Sequence, residues 1–246
     1  MQQVAVVTGA AQGLGRSIAE ALHRAGYRVA VTDVAVAGVA EVATALDPSG
    51  ETAMALALDV TSKADFEAAL AAILAKWGAL HVAVNNAALT PTTPVMKITA
   101  EEFDRVLAVN LRGTLFGCQV FGAHLAAAGY GRIVNLASLA GQNGGTASGA
   151  HYASSKGAIL TLTKIFAREL GASGVTVNAV APGPMDLPSV HALVPAEKLA
   201  KIVETIPVRS LGDPDFVADT VVHLASPAAG FVTGAAWDLN GGLFMR

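Results

Sequence analysis

Cysteine and charged side chains are both scarce in this sequence. The single cysteine, Cys118, has no partner for an intramolecular disulfide, and the six histidines show no metal-ligand spacing, so we expect no metal site. Charged residues make up 14% of the chain, against about 25% in ordinary soluble domains. So few charges indicate that much of the surface is buried, either in a core or between subunits, and they favour an oligomer.

The sequence also has no strongly basic character and no long uninterrupted apolar run. A net charge of -3 provides no broad positive field, which makes nucleic acid a poor candidate partner. No basic stretch precedes the first apolar residues, and Gly, Asp, Asn or Arg interrupts each apolar run before the ~20 residues that cross a bilayer. We therefore expect no signal peptide, no membrane partner and a cytoplasmic protein.

Short β-branched runs alternate with alanine-rich segments along the whole chain. The runs have no polar alternation, which is typical of strands covered on both faces in a parallel sheet. The alternation predicts an α/β fold, a Rossmann-type doubly wound sheet of seven parallel strands with helices on both faces. The predicted strands are Val4–Thr8, Arg28–Asp33, Ala53–Leu58, His81–Asn85, Arg132–Ala137, Val175–Val180 and Ala235–Leu239, and the predicted helices are Gly13–Ala25, Val36–Leu46, Lys63–Trp77, Ala100–Ala128, His151–Ala172 and Pro214–Ala225.

No linker rich in proline, glycine or serine divides the chain, so residues 1–246 are predicted to form one domain. The densest irregular stretch is Pro182–Pro195, and a short amphipathic segment, Ala196–Thr205, follows it. A loop of that length in a compact domain is usually a lid or a binding loop. We expect residues 185–205 to form an excursion over the substrate.

A glycine-rich turn, Thr8–Gly15, lies between the first predicted strand and the first predicted helix. Glycines at such a turn let the backbone approach a pyrophosphate, and the helix N-terminus offers free N–H groups to the anion. The same pattern can be a strand–helix turn without a ligand. Its place at the first βα turn favours a dinucleotide site.

An acidic residue, Asp33, ends the second predicted strand, 18 residues beyond Gly15. That spacing is close to the ~20 residues expected of the acid that binds an adenosine ribose diol. The next two residues, Val34 and Ala35, supply no cation for a 2′-phosphate, so NAD is favoured over NADP. Two alternatives stay open: Arg16 could reach such a phosphate, and Asp33 could be only a helix cap.

Tyr152 and Lys156 lie four residues apart, on one face of a predicted helix. A phenol titrates near 10, too high for proton transfer at neutral pH, but a nearby ammonium lowers that value. The pair can therefore act as a general acid and base. Taken alone, a Tyr-x-x-x-Lys pair is more often a solvated surface pair.

With these features in order, the chain from Val4 to Gly242 resembles the short-chain dehydrogenase/reductase family in its single-domain form. The matching elements are Thr8–Gly15, Asp33, Asp59, Asn85-Asn86-Ala87, Asn110, Ser138, Tyr152, Lys156 and Asn178–Gly183.

The resemblance implies a role for each matching residue. Tyr152 would exchange the proton with the substrate oxygen, and Lys156 would lower the pKa of Tyr152 and bind the nicotinamide ribose. Ser138 would hydrogen-bond the substrate oxygen, and Asn110 would hold a water linking Lys156 to solvent. Cofactor contacts are expected at Gly9, Gln12, Gly13, Leu14, Gly15, Asp33, Asp59, Val60, Asn86, Ala87, Ala88, Tyr152, Lys156, Pro182, Gly183 and Met185, and substrate contacts at Ser138, Gln142, His151, Tyr152, Leu187 and His191.

Some alternatives and departures accompany the resemblance. Asn85 and Asn86 could simply stabilise a turn. Ala88 stands where the family usually has glycine, and a positive φ there would cost roughly 1 kcal/mol. The threonine common shortly after Pro-Gly is missing from Pro184–Leu187, and the interval from Ser138 to Tyr152 looks about one residue longer than usual.

The expected function is NAD(H)-dependent interconversion of a secondary alcohol and a ketone. No arginine lies between Gly141 and Lys156 or between Pro182 and Thr205, which disfavours a phosphorylated or strongly acidic substrate. The alternatives are a 3-oxoacyl thioester reductase-like activity using NADPH, a non-catalytic dinucleotide-binding protein, and an epimerase or dehydratase with tightly held NAD. Four-subunit assemblies are common in the family, so a homotetramer is expected.

Overall fold

A seven-stranded sheet, parallel throughout, forms the centre of the protein in the computed structural model, which describes residues 2–145 and 149–246. The strand order is β3-β2-β1-β4-β5-β6-β7, so the chain winds from the middle to one edge and then to the other. The predicted doubly wound sheet is confirmed, with every strand end within two residues of its predicted place. The strands are β1 Val4–Thr8, β2 Arg28–Asp33, β3 Ala53–Ala57, β4 Val82–Asn85, β5 Gly131–Leu136, β6 Val175–Pro182 and β7 Ala236–Leu239.

Helices cover both faces of the sheet, as the apolar strands require. The described helices are α1 Gly13–Arg24, α2 Val36–Leu46, α3 Lys63–Trp77, α4 Ala100–Leu107, α5 Gly113–Ala127, α6 Ala140–Asn143, α7 Ala150–Leu170, α8 Pro188–Leu193, α9 Ala196–Thr205 and α10 Pro214–Ala225. Side chains cap three of them: Ser62, Thr99 and Asp213 each accept a main-chain N–H of the first turn.

The core has one apolar cluster on each face of the sheet. Ile18 and Leu22 of α1 pack with Val221 of α10 on one face. On the other face, Phe66 of α3 meets Phe121 of α5 edge to face, with ring centres 5.5 Å apart. All five side chains are fully buried. Strands apolar on both faces are thus explained by two layers of helix.

The long helix predicted over Ala100–Ala128 is interrupted. A π-helical turn, Ala108–Arg112, separates α4 from α5. Such a turn adds one residue to a helical turn and is frequent at functional sites. Asn110, expected to take part in catalysis, lies inside it and is fully buried.

The segment from Ala100 to Ala127 is, by length and composition alone, apolar enough to cross a membrane, and 44% of its most apolar window is buried inside the protein. The prediction that every apolar run is interrupted therefore overlooked that a few polar residues leave mean hydropathy high. This segment packs against β4, β5, α3 and α7. Helices in the core of a globular protein have the same composition.

The excursion predicted at residues 185–205 contains α8 and α9. Its base is closed by a parallel bridge between Met185 and Gly212, where Asp186 N–H donates to Gly212 O and Gly212 N–H donates to Pro184 O, both at 2.8 Å. The start of the excursion is therefore tied to Gly212, seven residues beyond its far end at Thr205.

Candidate active site

A cavity of about 500 Å³ opens at the carboxyl ends of the central strands, where the sheet order reverses between β1 and β4. Ligands of open α/β sheets bind at this kind of crevice, and the volume lies in the range of small-molecule sites, about 300–1,000 Å³. Every residue expected to contact a dinucleotide lines this cavity. They are Gly9, Gln12, Gly13, Leu14, Gly15, Asp33, Asp59, Val60, Asn86, Ala87, Ala88, Tyr152, Lys156, Pro182, Gly183 and Met185.

The glycine turn is built for close backbone approach. A Cβ added to Gly15 would lie 2.1 Å from Gly9 O, and one added to Gly9 would lie 2.6 Å from the Cα of Ala87. The helix α1 begins at Gly13, with no side-chain cap and no acidic residue in its first turn. Its first N–H groups are therefore free of side-chain acceptors and favour an anion at this end of the cavity.

Asn86 holds this turn against the end of β1. Its Nδ2 donates to Thr8 O at 2.9 Å and to Gly9 O at 3.0 Å. The Thr8 hydroxyl in turn accepts the main-chain N–H groups of Asn86 and Ala87, at 3.0 and 3.2 Å. The turn-stabilising role left open for Asn86 is therefore present. Ala88 has no positive φ, so its methyl group does not strain the backbone.

The acidic end of the cavity carries Asp33, which is half-buried. Its carboxylate accepts the N–H groups of Ala11 at 3.3 Å and Ala35 at 3.0 Å. Arg16 is engaged elsewhere, with Nε 2.8 Å from Glu20 and Nη1 3.6 Å from Glu41. Among the described residues that line the cavity, Lys156 is the one lysine or arginine.

The other end of the cavity brings together Ser138, which follows β5, with Tyr152 and Lys156 on the first turns of α7. Lys156 is 3% exposed. Its Nζ donates to Leu136 O at 2.5 Å and lies 5.7 Å from the centre of the Tyr152 ring. Burial lowers the pKa of Lys156 to about 8, so the ammonium is still the major form at pH 7.

The pKa of Tyr152 differs from the expectation. We expected the Lys156 charge to lower it, but burial raises the pKa of Tyr152, and the nearby hydroxyl of Ser138 acts in the opposite direction. The physical reason is the burial of the phenol, while the ammonium, 5.7 Å from the ring centre, donates to the Leu136 carbonyl. The phenol therefore favours its protonated form.

Asn110 holds protein groups instead of facing the cavity. Its Nδ2 donates to Leu89 O and to Ser155 Oγ, both at 3.0 Å, and its Oδ1 accepts Leu89 N–H at 2.8 Å. Both amide hydrogens are thus used within the protein. The expectation that Asn110 holds a water linked to Lys156 stays a prediction, because Oδ1 keeps a second lone pair that can accept a hydrogen bond from a water.

On the substrate side, the structure corrects two expected contacts. Gln142 and His151 do not line the cavity. Gln142 is drawn to β7, where its Nε2 donates to Asp238 at 2.5 Å, and His151 is fully buried at the start of α7, 3.3 Å from Glu102 of α4. Leu187 does line the cavity, as expected.

His191 lies exposed on α8, 2.5 Å from Asp186. It lines a neighbouring cavity of about 610 Å³ under the excursion, together with the apolar side chains of Val194, Leu199 and Val203. Its contact with substrate stays a prediction.

Sequence reasoning missed several lining residues after the strand ends. Leu89 and Thr90 follow Asn85-Asn86-Ala87 on the loop after β4, Val34 follows Asp33, and Val109 lies in the π-helical turn. The signal for the first three was their position just beyond strands whose carboxyl ends meet at this crevice.

Comparison with known proteins gives matches over nearly the whole chain. A family model described as "Enoyl-(Acyl carrier protein) reductase" matches residues 9–244. Sorbitol dehydrogenase of Cereibacter sphaeroides is 34% identical, over 99% of this chain and 98% of that protein. The 3-oxoacyl-(acyl-carrier-protein) reductase of Vibrio cholerae is 35% identical over the same shares. A crystal structure of a putative gluconate dehydrogenase from Agrobacterium tumefaciens superposes with a TM-score of 0.92 at 31% identity, covering 98% of this chain and 95% of that one.

Proposed function

The chain belongs to the short-chain dehydrogenase/reductase family, and from that premise we propose that it interconverts a secondary alcohol and a ketone with NAD(H), using Tyr152 as general acid and base. One observation carries the proposal: Ser138, Tyr152 and Lys156 border the same cavity as the uncapped glycine turn. The groups proposed for proton transfer and for anion binding thus line one cavity.

The residues present fit a nicotinamide dinucleotide. The glycine turn and the N-terminus of α1 would hold the pyrophosphate, because the first N–H groups of α1 have no side-chain acceptor. Asp33 and Asp59 would face the adenosine half, and Pro182 and Gly183 would border the nicotinamide half. When bound, the cofactor supplies or receives the hydride.

Tyr152 is the residue placed to move the proton. Its raised pKa keeps the proton on Oη at neutral pH, and in reduction the phenol donates that proton to the carbonyl oxygen. In oxidation the phenolate form must accept the alcohol proton. The hydroxyl of Ser138 would orient the substrate oxygen toward the phenol, and the Lys156 ammonium, held by Leu136, keeps a positive charge below it.

The preference for NAD over NADP rests on the charges near Asp33. A half-buried carboxylate at the ribose end repels a 2′-phosphate, and Val34, the next residue, offers it no cation. The alternative through Arg16 is weakened, because its guanidinium is paired with Glu20 and Glu41.

For the substrate we propose an uncharged hydroxy compound or ketone of small or medium size. The substrate end of the cavity is bordered by the apolar side chains of Leu89, Met185 and Leu187, with Thr90 among them. The relatives named as sorbitol dehydrogenase and galactitol 2-dehydrogenase agree with such a substrate. A 3-oxoacyl thioester reductase activity is the second candidate, favoured by the 35% identity to the Vibrio cholerae enzyme.

A homotetramer is proposed for the assembly. Large apolar side chains are exposed in the described part of the chain, among them Phe103, Ile165, Phe216, Phe231 and Met245. Together with the low share of charged residues, they favour burial between subunits. Sedimentation analysis tests this, and a monomer at micromolar concentration would contradict it.

The test of the function is a panel of secondary alcohols, polyols, ketones and a 3-oxoacyl thioester, assayed by nicotinamide absorbance with both cofactors. We expect turnover with NAD(H), and a loss of about 10²–10⁴-fold in Tyr152→Phe, which removes the general acid. Binding of NADH to the variant, followed by fluorescence, should be retained. Undiminished turnover in Tyr152→Phe would refute the assigned base.

A further inference from the structure

The residue before the proposed acid-base tyrosine is a fully buried histidine. His151 is the second residue of α7, and its Nδ1 accepts the main-chain N–H of Tyr152 at 3.0 Å. This N–H belongs to the first turn of the helix, where main-chain donors lack an intrahelical partner. The imidazole therefore satisfies the one main-chain donor that belongs to Tyr152.

The far side of the imidazole faces a carboxylate. Nε2 of His151 lies 3.3 Å from Oε1 of Glu102 on α4, although the N–H is poorly aligned for a strong hydrogen bond. Glu102 also accepts the hydroxyl of Thr93 at 2.7 Å. The hydrogen bond from Thr93 and the adjacent imidazole of His151 hold the pKa of Glu102 below its usual range, so this carboxyl is ionised at neutral pH.

These contacts select one tautomer of His151. An ionised carboxylate only accepts, so the imidazole proton lies on Nε2, toward Glu102. Nδ1 then carries the lone pair that Tyr152 N–H requires. Gly149 leaves the space that the ring occupies, because a Cβ at that position would lie only 2.2 Å from Cε1 of His151.

The carbonyl of Tyr152 is held as well. Ser155 Oγ donates to Tyr152 O at 2.7 Å and accepts the Asn110 amide at 3.0 Å. His151, Ser155 and Asn110 are all fully buried. Buried side chains thus hold both main-chain polar groups of Tyr152.

We propose that His151 is a positioning residue for the reaction: with its tautomer set by Glu102, it fixes the main chain of Tyr152 and thereby the place of the phenol at the cavity. The inference rests on the proposed function, in which Tyr152 transfers the proton. Since a misplacement of ~1 Å can reduce the rate about 10²-fold, releasing one end of this support lowers kcat and leaves cofactor affinity intact.

The two ring nitrogens can be tested separately. In His151→Asn, the amide oxygen can take the place of Nδ1, whereas in His151→Gln the longer side chain reaches toward Glu102 and leaves Tyr152 N–H without its acceptor. We expect kcat of His151→Asn within about threefold of wild type, and a loss of roughly 10- to 100-fold in His151→Gln and His151→Ala. KM for the alcohol and Kd for NADH should stay within about twofold in all three.

Two measurements separate positioning from general destabilisation. The kcat is expressed per NADH-binding site, so unfolded protein does not contribute. Amide hydrogen exchange at the start of α7 should accelerate in His151→Gln and His151→Ala but not in His151→Asn.

The matched control is His81→Ala. His81 Nδ1 also accepts a main-chain N–H, from Val4 at 3.0 Å, but at the amino end of the sheet, away from the cavity. This variant should lose thermal stability and keep its kcat. Equal kcat in His151→Asn and His151→Gln, or an equal loss in His81→Ala, would overturn the proposal. If Tyr152→Phe is inactive while every His151 variant is fully active, only this inference fails; if Tyr152→Phe is fully active, the proposed function fails.

Discussion

Replacing Asp33 by asparagine gives the sharpest test of cofactor choice, because it removes one charge and nearly preserves shape. The asparagine Oδ1 can still accept one of the two N–H groups, from Ala35 or Ala11, that now hold the carboxylate. Any change in cofactor preference then comes from the missing charge. The turn itself should keep its conformation.

The expected shift can be worked out from two contributions. A hydrogen bond from a ribose hydroxyl to a charged group contributes about 1.5–3 kcal/mol, and for a half-buried Asp33 we take the lower value, roughly a tenfold loss with NADH. Two unit charges ~4 Å apart repel by about 4 kcal/mol near a protein surface. Partial exposure and salt reduce this to about 2 kcal/mol, roughly a 30-fold gain with NADPH. The preference for NADH over NADPH should therefore fall by roughly 300-fold.

The assay compares kcat/KM for both cofactors with one substrate. Asp47→Asn is the matched control, since Asp47 likewise accepts main-chain N–H groups, from Ser49 and Thr52, but does not line the cavity. Adding Glu20→Gln to Asp33→Asn removes the closer of the two carboxylates that pair with Arg16, leaving Glu41 at 3.6 Å. It should raise NADPH use about fivefold further, the value of one exposed charge pair. A wild-type enzyme that prefers NADPH, or equal effects of Asp33→Asn on both cofactors, would refute the reasoning.

Three further predictions concern stability and the glycine turn. Burial lowers the pKa of Lys156 from 10.5 to about 8. Between pH ~8 and ~10.5 the unfolded chain therefore holds a proton that the folded chain has released. In that range the contribution of Lys156 to the free energy of unfolding rises with pH. Lys156→Met should therefore be more stable by about 3 kcal/mol below pH ~8, with the gain gone near pH ~10.5. Urea unfolding against pH measures this, and a pH-independent difference would contradict it. In Gly15→Ala the new Cβ would lie 2.1 Å from Gly9 O, so the free energy of unfolding should fall by about 1–3 kcal/mol and most NADH binding should be lost. The control is Gly26→Ala, at φ +88 and in open space, which should lose about 1 kcal/mol of stability and bind NADH normally. Equal NADH binding by both variants would argue against the glycine turn as the pyrophosphate site. Ala88→Gly should lower the free energy of unfolding by about 0.4–1 kcal/mol, because glycine adds freedom to the unfolded chain and Ala88 has no positive φ that glycine would relieve. Thermal unfolding measures this, and a stabilised variant would contradict it.

The strands were predictable because their signal is local. Runs such as Val4–Thr8 and Val175–Pro182 are mostly apolar and are buried on both faces, and only a sheet covered by two layers of helix buries both. The site was predictable for a related reason: the turn at Gly9 to Gly15, Asp33 and Ser138 all follow strands whose ends meet at one crevice. Their order along the chain was enough.

Other features depended on contacts that the sequence does not display. His151 and Gln142 adjoin the proposed catalytic residues, but Glu102 and Asp238, far away in sequence, draw them from the cavity. Similarly, no residue pattern announces the π-helical turn at Ala108–Arg112, because helical periodicity continues on either side of it. The direction of the Lys156 ammonium was hidden too, since its acceptor is a main-chain carbonyl.

The bridge between Met185 and Gly212 has a consequence for how such an enzyme changes over evolutionary time. Because the bridge ties the start of the excursion, Met185, to Gly212 just beyond its far end, mutations, insertions and deletions within the excursion need not disturb strand pairing or the proposed proton-transfer residues on α7. The sequence of residues 185–205 can therefore vary between relatives while the residues proposed for the reaction are retained. Relatives only 34% identical in sequence, yet aligned over 98% of their own length, are what such modular descent would produce.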